Sequence, residues 1–228
     1  MLLPKPSSLS WEECAGIPEV WLTALQALYL IGEFSAGKSV LWHAGASSVS
    51  IAGIQLSLAA GASAVYATTR SDEKSQWLVK EMGVSKAFNA SDSTWAAQLG
   101  EATEGRGVDV VVDYIGGPVF QDNINSLARD GRMVMLAYLG GTKVGNGVDL
   151  SAFLRKRLRV EGSSLRSRDE EYQGRLTDLL KEKVMPKLVS GEFRVVIEKT
   201  LDWEGIVEAH QLMESNRTKG KIVCTIPW

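Results

Sequence analysis

The residues best suited to do chemistry lie in a strand-to-helix turn, "HAGASSVSIAGIQL", which begins at His43. Such a turn binds the pyrophosphate of a dinucleotide when glycines let main-chain N–H groups approach the phosphates at a helix N-terminus. Gly45 can make the bend, whereas Ser48 stands at the position of close approach and Ser50 where the helix packs on the strand. Two interpretations stay open: a cofactor site in which serine replaces glycine, or a turn that has no ligand.

A second candidate binding segment, "ATTRSDEK", follows the next predicted strand. NAD enzymes usually carry an acid at this point for the ribose hydroxyl, whereas NADP enzymes offer a cation for the 2′-phosphate. The side chains that could hold that phosphate are Thr69, Arg70, Ser71 and Lys74, although two neighbouring carboxylates oppose them. If a dinucleotide binds, the segment favours NADPH; otherwise Arg70 and Lys74 are ordinary surface charges at a helix start.

The elements that must position these residues alternate along the chain after residue 38. Short β-branched runs separated by helical stretches indicate a parallel sheet with crossover helices. The chain is therefore predicted to be an α/β protein with a doubly wound parallel Rossmann sheet, whose ligands bind at the carboxyl ends of the strands. The predicted strands cover residues 39–43, 64–68, 87–89, 108–114, 132–137 and 159–162, and the first crossover helix covers 49–60.

Two terminal regions flank the predicted sheet. Residues 1–38 are predicted to form a lead-in helix region, and residues 39–175 the dinucleotide-binding type of domain. Residues 176–228 are predicted to form a returning segment with helix, a break at Pro186, the strand "FRVVIEK", another helix and the final strand "KGKIVCTIP". Neither internal repeats nor low-complexity linkers are visible, so the chain is expected to be compact.

Composition limits the function classes. The 228 residues are 45% hydrophobic and carry a formal charge of −2, which argues against a nucleic-acid partner. Cys14 and Cys224 are far apart and lack ligand spacing, so free thiols and no metal site are expected. The apolar run at 20–31 is too short to span a bilayer. A soluble cytoplasmic protein without a membrane partner is therefore expected.

Four segments carry a resemblance to a known family. The chain closely resembles the zeta-crystallin-like quinone oxidoreductase branch of the medium-chain dehydrogenase/reductase superfamily in "EVWLTALQALYLIGEFSAGKSVLWHAGASSVSIAGIQL", "VDVVVDYIGG", "LARDGRMVMLAYLGG" and "SSLRSRDEEYQ". The likeness covers residues 9 to 227, nearly the whole chain. It implies a zinc-independent reductase that binds NADPH and is a homodimer.

The resemblance also implies a set of cofactor contacts. In that family the segment that matches the turn binds the pyrophosphate, and the segment that matches residues 69–74 binds the 2′-phosphate. The nicotinamide side is bound by the segments that match Thr23, 113–116 and 139–141. The implied cofactor residues are Thr23, Gly45, Ser48, Val49, Ser50, Thr69, Arg70, Lys74, Gly116, Leu139, Gly140 and Arg166. Family members usually have a tyrosine where this chain has Ala90, which is a third departure at the site.

A larger departure concerns the catalytic barrel that precedes the segment matching "LSWEECAGIPEVW" in the family. That segment comes near the start of this sequence, so most of the amino-terminal barrel is expected to be lacking. Residues 176–228 would then be a carboxyl-terminal remnant of the catalytic domain. Its apolar residues are expected to be exposed unless another surface covers them: Val195, Val196, Ile197, Ile206, Ile222 and Val223.

Three functions remain to be weighed. The first is an NADPH-dependent reductase of quinones or α,β-unsaturated carbonyl compounds, in which the protein orients the cofactor and excludes water. The second is a repurposed isomerase, cyclase or dehydratase that acts on an unsaturated carbonyl compound and needs no cofactor. Its weak acid/base candidates are His43, Asp113, Tyr114 and Tyr138, all near predicted carboxyl ends of strands. The third is a non-catalytic homologue. Reductase chemistry is preferred, and the catalytic residues are left unknown.

Overall fold

The centre of the molecule is a parallel sheet. A computed structural model describes this sheet and the rest of the chain over residues 3–145 and 147–227. The six strands of the sheet have the order β3-β2-β1-β4-β5-β6. This order confirms the predicted doubly wound α/β fold. The strands are β1 (Ser39–Trp42), β2 (Ala64–Thr69), β3 (Lys86–Asn89), β4 (Val108–Asp113), β5 (Leu127–Met135) and β6 (Arg159–Gly162).

Helices cover both faces of this sheet. Because successive strand residues point to opposite faces, Trp42 packs in the apolar cluster of α2, α3 and α8, whereas Leu41 packs in that of α5, α6 and α7. The helices are α1 (Trp11–Ala15), α2 (Pro18–Leu25), α3 (Ser48–Ala59), α4 (Asp72–Met82), α5 (Trp95–Ala102), α6 (Phe120–Ser126), α7 (Ser151–Lys156), α8 (Glu170–Leu179), α9 (Met185–Val189) and α10 (Ile206–Glu214). A π-helical segment, Gln26–Ile31, extends α2, and another, Leu180–Val184, joins α8 to α9.

The direction of strand order reverses at β1. This strand pairs with β2 on one side and with β4 on the other, where Trp42 lies opposite Val112. His43 continues the pairing by donating its N–H to the Val112 carbonyl at 3.1 Å. The turn after β1 and the residues after β4 are therefore neighbours at the carboxyl edge of the sheet, the place where doubly wound folds bind ligands.

The carboxyl-terminal segment forms a smaller unit. Strands β7 (Ile197–Asp202) and β8 (Lys221–Thr225) are parallel and are connected through α10. The predicted strand at 193–199 begins later than expected because residues before it bond to α3. Arg194 N–H donates to Gln55 Oε1 at 2.9 Å, and Gln55 Nε2 donates to the Arg194 carbonyl at 3.1 Å.

The apolar residues of this unit differ in exposure. Val223 is buried, Val195 and Val196 are half-buried against the main core, and Ile206 keeps 45% of its surface exposed. Contact with α1 and α3 thus covers part of the face that the sequence predicts to be exposed. Within the described residues, no helix has the length and apolar character needed to cross a membrane.

Candidate functional site

The turn between β1 and α3 bends at a different residue from the one predicted. Ala44 has a φ of 45°, whereas Gly45 does not adopt a left-handed conformation. A Cβ on Gly45 would lie 2.7 Å from the Ala67 Cβ and 2.8 Å from Leu78 Cδ1. Gly45 is therefore needed for close packing against β2 and α4, and the prediction that it makes the bend was wrong.

The serines of the turn bond mainly to one another and to the main chain. Ser47 is the N-cap of α3, and its Oγ accepts from Ser50 N–H at 3.3 Å. The Ser50 hydroxyl is fully buried and donates to the His43 carbonyl at 2.7 Å. Its only proton is thus donated within the protein, beneath the turn, and a contact between Ser50 and the cofactor stays a prediction.

Two main-chain donors at the start of α3 stay available. The first N–H groups of a helix have no intrahelical acceptor. Within the described residues no hydrogen bond involves the N–H of Ser48 or Val49. Both lie at the amino end of α3, which carries the positive end of the helix dipole. This 12-residue helix follows β1, the strand at which the strand order reverses. This arrangement suits an anion such as a diphosphate.

Cationic side chains gather where β2 ends. Arg70 is exposed and has no ion pair in the part of the chain that the structure describes. Lys74 Nζ donates to the Asn216 carbonyl at 2.7 Å. Burial lowers the pKa of Lys74, and the charges of Arg70 and Lys219 lower it further. The three cations therefore share one region.

Lys219 is the member of this region that the sequence did not reveal. Its Nζ lies 3.1 Å from Glu73 Oε1, although the two residues are 146 positions apart. No local pattern marks it, because only the docking of the carboxyl-terminal unit brings it to α4. Thr69 is less accessible than predicted, since its buried hydroxyl donates to the Ser71 carbonyl at 2.8 Å.

The segments predicted to line the nicotinamide side form one connected group. Leu139 N–H donates to the Tyr114 carbonyl at 2.8 Å, and Gly140 N–H donates to the Ile115 carbonyl at 2.9 Å. Gly116 has a φ of 87°, a conformation that favours glycine. The loop after β4 and the loop after β5 are therefore held together at the carboxyl edge.

Two other predicted contact residues, Thr23 and Arg166, are not bonded to this group of loops within the described residues. The Thr23 hydroxyl donates to the Glu19 carbonyl at 2.7 Å, within its own helix. Arg166 is exposed, and no hydrogen bond or ion pair in the described ranges ties it to the group. The roles of Thr23 and Arg166 stay predictions.

His43 is held in a buried network. Because Asn123 Oδ1 can only accept, the Nε2–H of His43 donates to it at 2.7 Å, and the Thr68 hydroxyl donates to Nδ1 at 2.9 Å. The ring is almost fully buried, which lowers its pKa against the opposing charge of Asp113. These two bonds enclose His43 in a structural network, and its acid/base role on a substrate stays a prediction.

Asp113 is likewise turned inward. Its carboxylate is fully buried and accepts from the N–H groups of Ile115, at 2.8 Å, and Gly116, at 3.1 Å. Burial raises its pKa, while His43 and these two donors oppose the rise. The carboxylate therefore shapes the loop after β4, and its acid/base role stays a prediction.

The two tyrosine candidates differ in exposure. The Tyr114 hydroxyl is buried beside the Ser50 hydroxyl, and burial raises its pKa. Tyr138 is 51% exposed on the loop after β5. A cavity beside Ser48 holds about 10 Å³, room for roughly one water molecule. The candidate site is therefore the surface along the carboxyl edge of the sheet and not an enclosed pocket.

No metal centre is found within residues 3–145 and 147–227, where no group of three or more His, Cys, Asp or Glu side chains could hold an ion.

Comparison with known protein families gives one match that covers more than half of the chain. The sequence model described as zinc-binding dehydrogenase matches residues 48–182. The match begins at Ser48, the first residue of α3, and ends within the segment that joins α8 to α9.

Comparison with curated proteins gives polyketide synthases. The squalestatin tetraketide synthase of Phoma sp. (strain C2932) is 29% identical over 98% of this chain, and the highly reducing polyketide synthase gloL of Glarea lozoyensis is 28% identical over 97%. In each case this chain spans 9% of the relative's length.

Comparison with solved structures gives dehydrogenases and enoyl reductases. An NAD-dependent alcohol dehydrogenase is 30% identical with a TM-score of 0.84, and the CurF ER cyclopropanase from the curacin A biosynthetic pathway is 28% identical with a TM-score of 0.83. The JamJ enoyl reductase is 26% identical with a TM-score of 0.82. Each similarity covers 99% of this chain and, in that order, 62%, 65% and 66% of the solved chain.

Proposed function

Because this chain belongs to the zinc-binding dehydrogenase family, part of the medium-chain dehydrogenase/reductase superfamily, we propose that it is an NADPH-dependent reductase of α,β-unsaturated carbonyl compounds. The observation that carries the proposal is the pair of available N–H groups at Ser48 and Val49. They lie at the helix N-terminus where strand order reverses, the position at which doubly wound folds bind a dinucleotide.

The residues at this edge fit such a cofactor. The Ser47 hydroxyl accepts the N–H of Ser50 as the helix cap. The N–H groups of Ser48 and Val49 are therefore left to bind a diphosphate. The side chain of Ser50 is directed into the protein by its bond to the His43 carbonyl, so it does not obstruct a ligand. The substitution of glycine by serine is therefore compatible with binding.

The choice of NADPH over NADH rests on charge. An exposed guanidinium at Arg70 and the ammonium groups of Lys74 and Lys219 lie where the ribose phosphate of NADPH is expected. Arg70 is the donor we expect to contribute most, because Lys74 and Lys219 already have protein partners. Arginine also binds phosphate through two parallel donors.

A bound nicotinamide supplies the hydride, and the chain supplies binding and orientation. The N–H groups of Ser48 and Val49 would hold the diphosphate, and Arg70 would hold the 2′-phosphate. The connected loops 114–117 and 138–141 form the edge beside which the substrate would lie. No residue of this chain is assigned to proton transfer, because His43 and Asp113 are buried in structural roles.

The substrate class is proposed from the similar proteins. One of the three solved structures is an enoyl reductase and another an ER cyclopropanase, and the curated relatives are polyketide synthases. An enone is therefore the first class to test. Quinones are the second, because they are also conjugated carbonyl compounds and the sequence resembles quinone reductases. The homodimer and the cytoplasmic location stay predictions.

The test is calorimetric titration of the 228-residue chain with NADPH and with NADH, up to millimolar concentration. We expect Arg70→Ala to raise the Kd for NADPH about tenfold and to leave NADH binding unchanged, as for loss of one charge-assisted contact. Arg129→Ala, which removes an exposed arginine near the amino end of β5, is the matched control. Oxidation of NADPH is then followed with an enone and with a quinone. Absence of NADPH binding would overturn the proposal.

A further inference from the structure

The loop at residues 215–220, which connects α10 to β8, lies along the carboxyl edge of the main sheet. Lys74 Nζ, in the first turn of α4, donates to the Asn216 carbonyl at 2.7 Å. At the other end of the loop, the Gly220 N–H donates to the Ala46 carbonyl, in the turn after β1, at 3.0 Å. The loop is therefore bonded both to the cationic region after β2 and to the turn that offers N–H groups for a diphosphate.

Lys219 lies in this loop and contacts α4 through its side chain. Its Nζ lies 3.1 Å from Glu73 Oε1 and 5.9 Å from the centroid of the Trp77 ring. Its N–H donates to Glu198 Oε2 at 2.9 Å, so β7 holds the main chain of Lys219 independently of the ammonium group. The Lys219 side chain is 27% exposed, whereas that of Glu73 is 81% exposed. The protein therefore positions the ammonium group, and its carboxylate partner is open to solvent and to a competing anion.

The Glu73–Lys219 ion pair is of the weak, exchangeable kind. Solvent screens exposed charges, and a pair between two long side chains costs side-chain entropy. A phosphate monoester is a stronger partner than a carboxylate, because it carries more charge near neutral pH and has three acceptor oxygens. Arg70 has no ion pair within the described residues, and burial, together with the charges of Arg70 and Lys219, lowers the pKa of Lys74. A dianion at this place would offset the repulsion among the three cations more than the single charge of Glu73 does.

We propose that the Glu73–Lys219 ion pair is an exchangeable contact, in which the 2′-phosphate of NADPH replaces the Glu73 carboxylate as the partner of Lys219. NADH lacks this phosphate and leaves the pair intact. The carboxyl-terminal unit thereby takes part in the selection of the cofactor. The inference rests on the proposed NADPH function and adds a competitor to it, because removal of the Glu73 carboxylate should tighten the binding of NADPH.

Glu73→Gln and Lys219→Met remove the two partners one at a time. Methionine keeps the apolar contact of the lysine side chain with the Trp77 ring. Glu81→Gln is the matched control, since Glu81 is also an exposed carboxylate of α4 whose ion-pair partner, Arg194 at 3.8 Å, belongs to the carboxyl-terminal segment. The rise of the helix places Glu81 about 12 Å further along α4, beyond the Debye length of about 8 Å at physiological salt.

Binding of NADPH and of NADH is measured by calorimetric titration of the 228-residue chain and its variants at physiological salt. We expect Glu73→Gln to lower the Kd for NADPH about threefold and Lys219→Met to raise it about threefold, as for one exposed charge interaction. The Kd for NADH should change less than about twofold in both variants. In the Lys219→Met background, Glu73→Gln should act no more strongly than Glu81→Gln, because the group for which Glu73 competes has been removed.

Two results would overturn the inference alone. If Glu73→Gln lowered the Kd for NADPH no more than Glu81→Gln does, the carboxylate would not compete with the phosphate. If Glu73→Gln lowered that Kd equally with and without the Lys219 ammonium group, Glu73 would only repel the phosphate, and the exchange at Lys219 would be wrong. If neither the natural chain nor any variant binds NADPH, the proposed function fails, and the inference fails with it.

Discussion

Ser50→Gly is the substitution that tests most directly what serine does in the turn. From the sequence alone, restoring glycine would be expected to open the turn to a cofactor. The structure leads to the opposite expectation. Because the Ser50 hydroxyl is buried and donates to the His43 carbonyl, its removal should cost stability and leave NADPH affinity unchanged.

The magnitude follows from two losses. One buried hydrogen bond contributes about 1 kcal/mol to stability. Replacing serine by glycine in the third helical position costs roughly another 0.5 kcal/mol through helix propensity. The sum, about 1.5 kcal/mol, corresponds to a decrease in Tm of roughly 3 to 6 °C for a chain of this size.

The assay combines urea unfolding, thermal unfolding and calorimetric titration with NADPH. Ser48→Gly is the control, because Ser48 is the first helical residue, is half-buried and makes no side-chain hydrogen bond with the described residues. It should cost no more than about 0.5 kcal/mol. If Ser50→Gly bound NADPH tenfold more tightly without losing stability, our account of the turn would be refuted.

Two further predictions concern stability. Gly53→Ala should destabilise the protein by about 1 to 2 kcal/mol in urea unfolding, since the added Cβ would lie 2.1 Å from the Trp42 ring and overpacking outweighs the helix-propensity gain. Gly174→Ala, with nothing within 4 Å of the added Cβ, should instead stabilise by roughly 0.5 kcal/mol, and equal effects of the two changes would count against this packing argument. A further prediction concerns the pH dependence of stability. Burial holds the pKa of His43 in the folded protein below its ordinary value of 6.5, so the unfolded chain binds the proton first as the pH falls below 6.5. The free energy of unfolding should therefore fall by up to about 1.4 kcal/mol per pH unit. His43→Gln should flatten this slope in urea unfolding between about pH 7.5 and 5.5. The raised pKa of Asp113 acts in the opposite direction at lower pH, and an unchanged slope in the variant would show that another group titrates.

The main sheet could be predicted because its strands have strong local patterns. The run "VDVVVD" is apolar on both faces and forms β4, and the first crossover helix forms within one residue of its predicted start. The prediction for β5 began five residues late. Asp130 has a φ of 62° and precedes a glycine, so this stretch resembles a turn although the strand continues through it. The pairing with β4 shifts register at that point.

The candidate site could be predicted only where one segment defines it. Ser48, Val49 and Arg70 belong to local motifs, and all three have accessible donors in the structure. Lys219 could not be found, since it reaches α4 only through the docking of a distant unit. His43 was assigned a chemical role because a sequence does not show that a polar side chain is enclosed and already has its partners.

The serines of the turn are best understood as a change in how the turn is stabilised. Glycine at these positions allows close approach but adds conformational freedom to the unfolded chain. Ser48 and Ser50 reduce that freedom, and the bonds of Ser47 and Ser50 fix the start of α3 against β1. The groups that would meet a diphosphate are main-chain N–H groups, which any residue other than proline can provide. Affinity should therefore depend on whether Ser48 and Val49 keep those groups available, and not on the number of glycines in the turn.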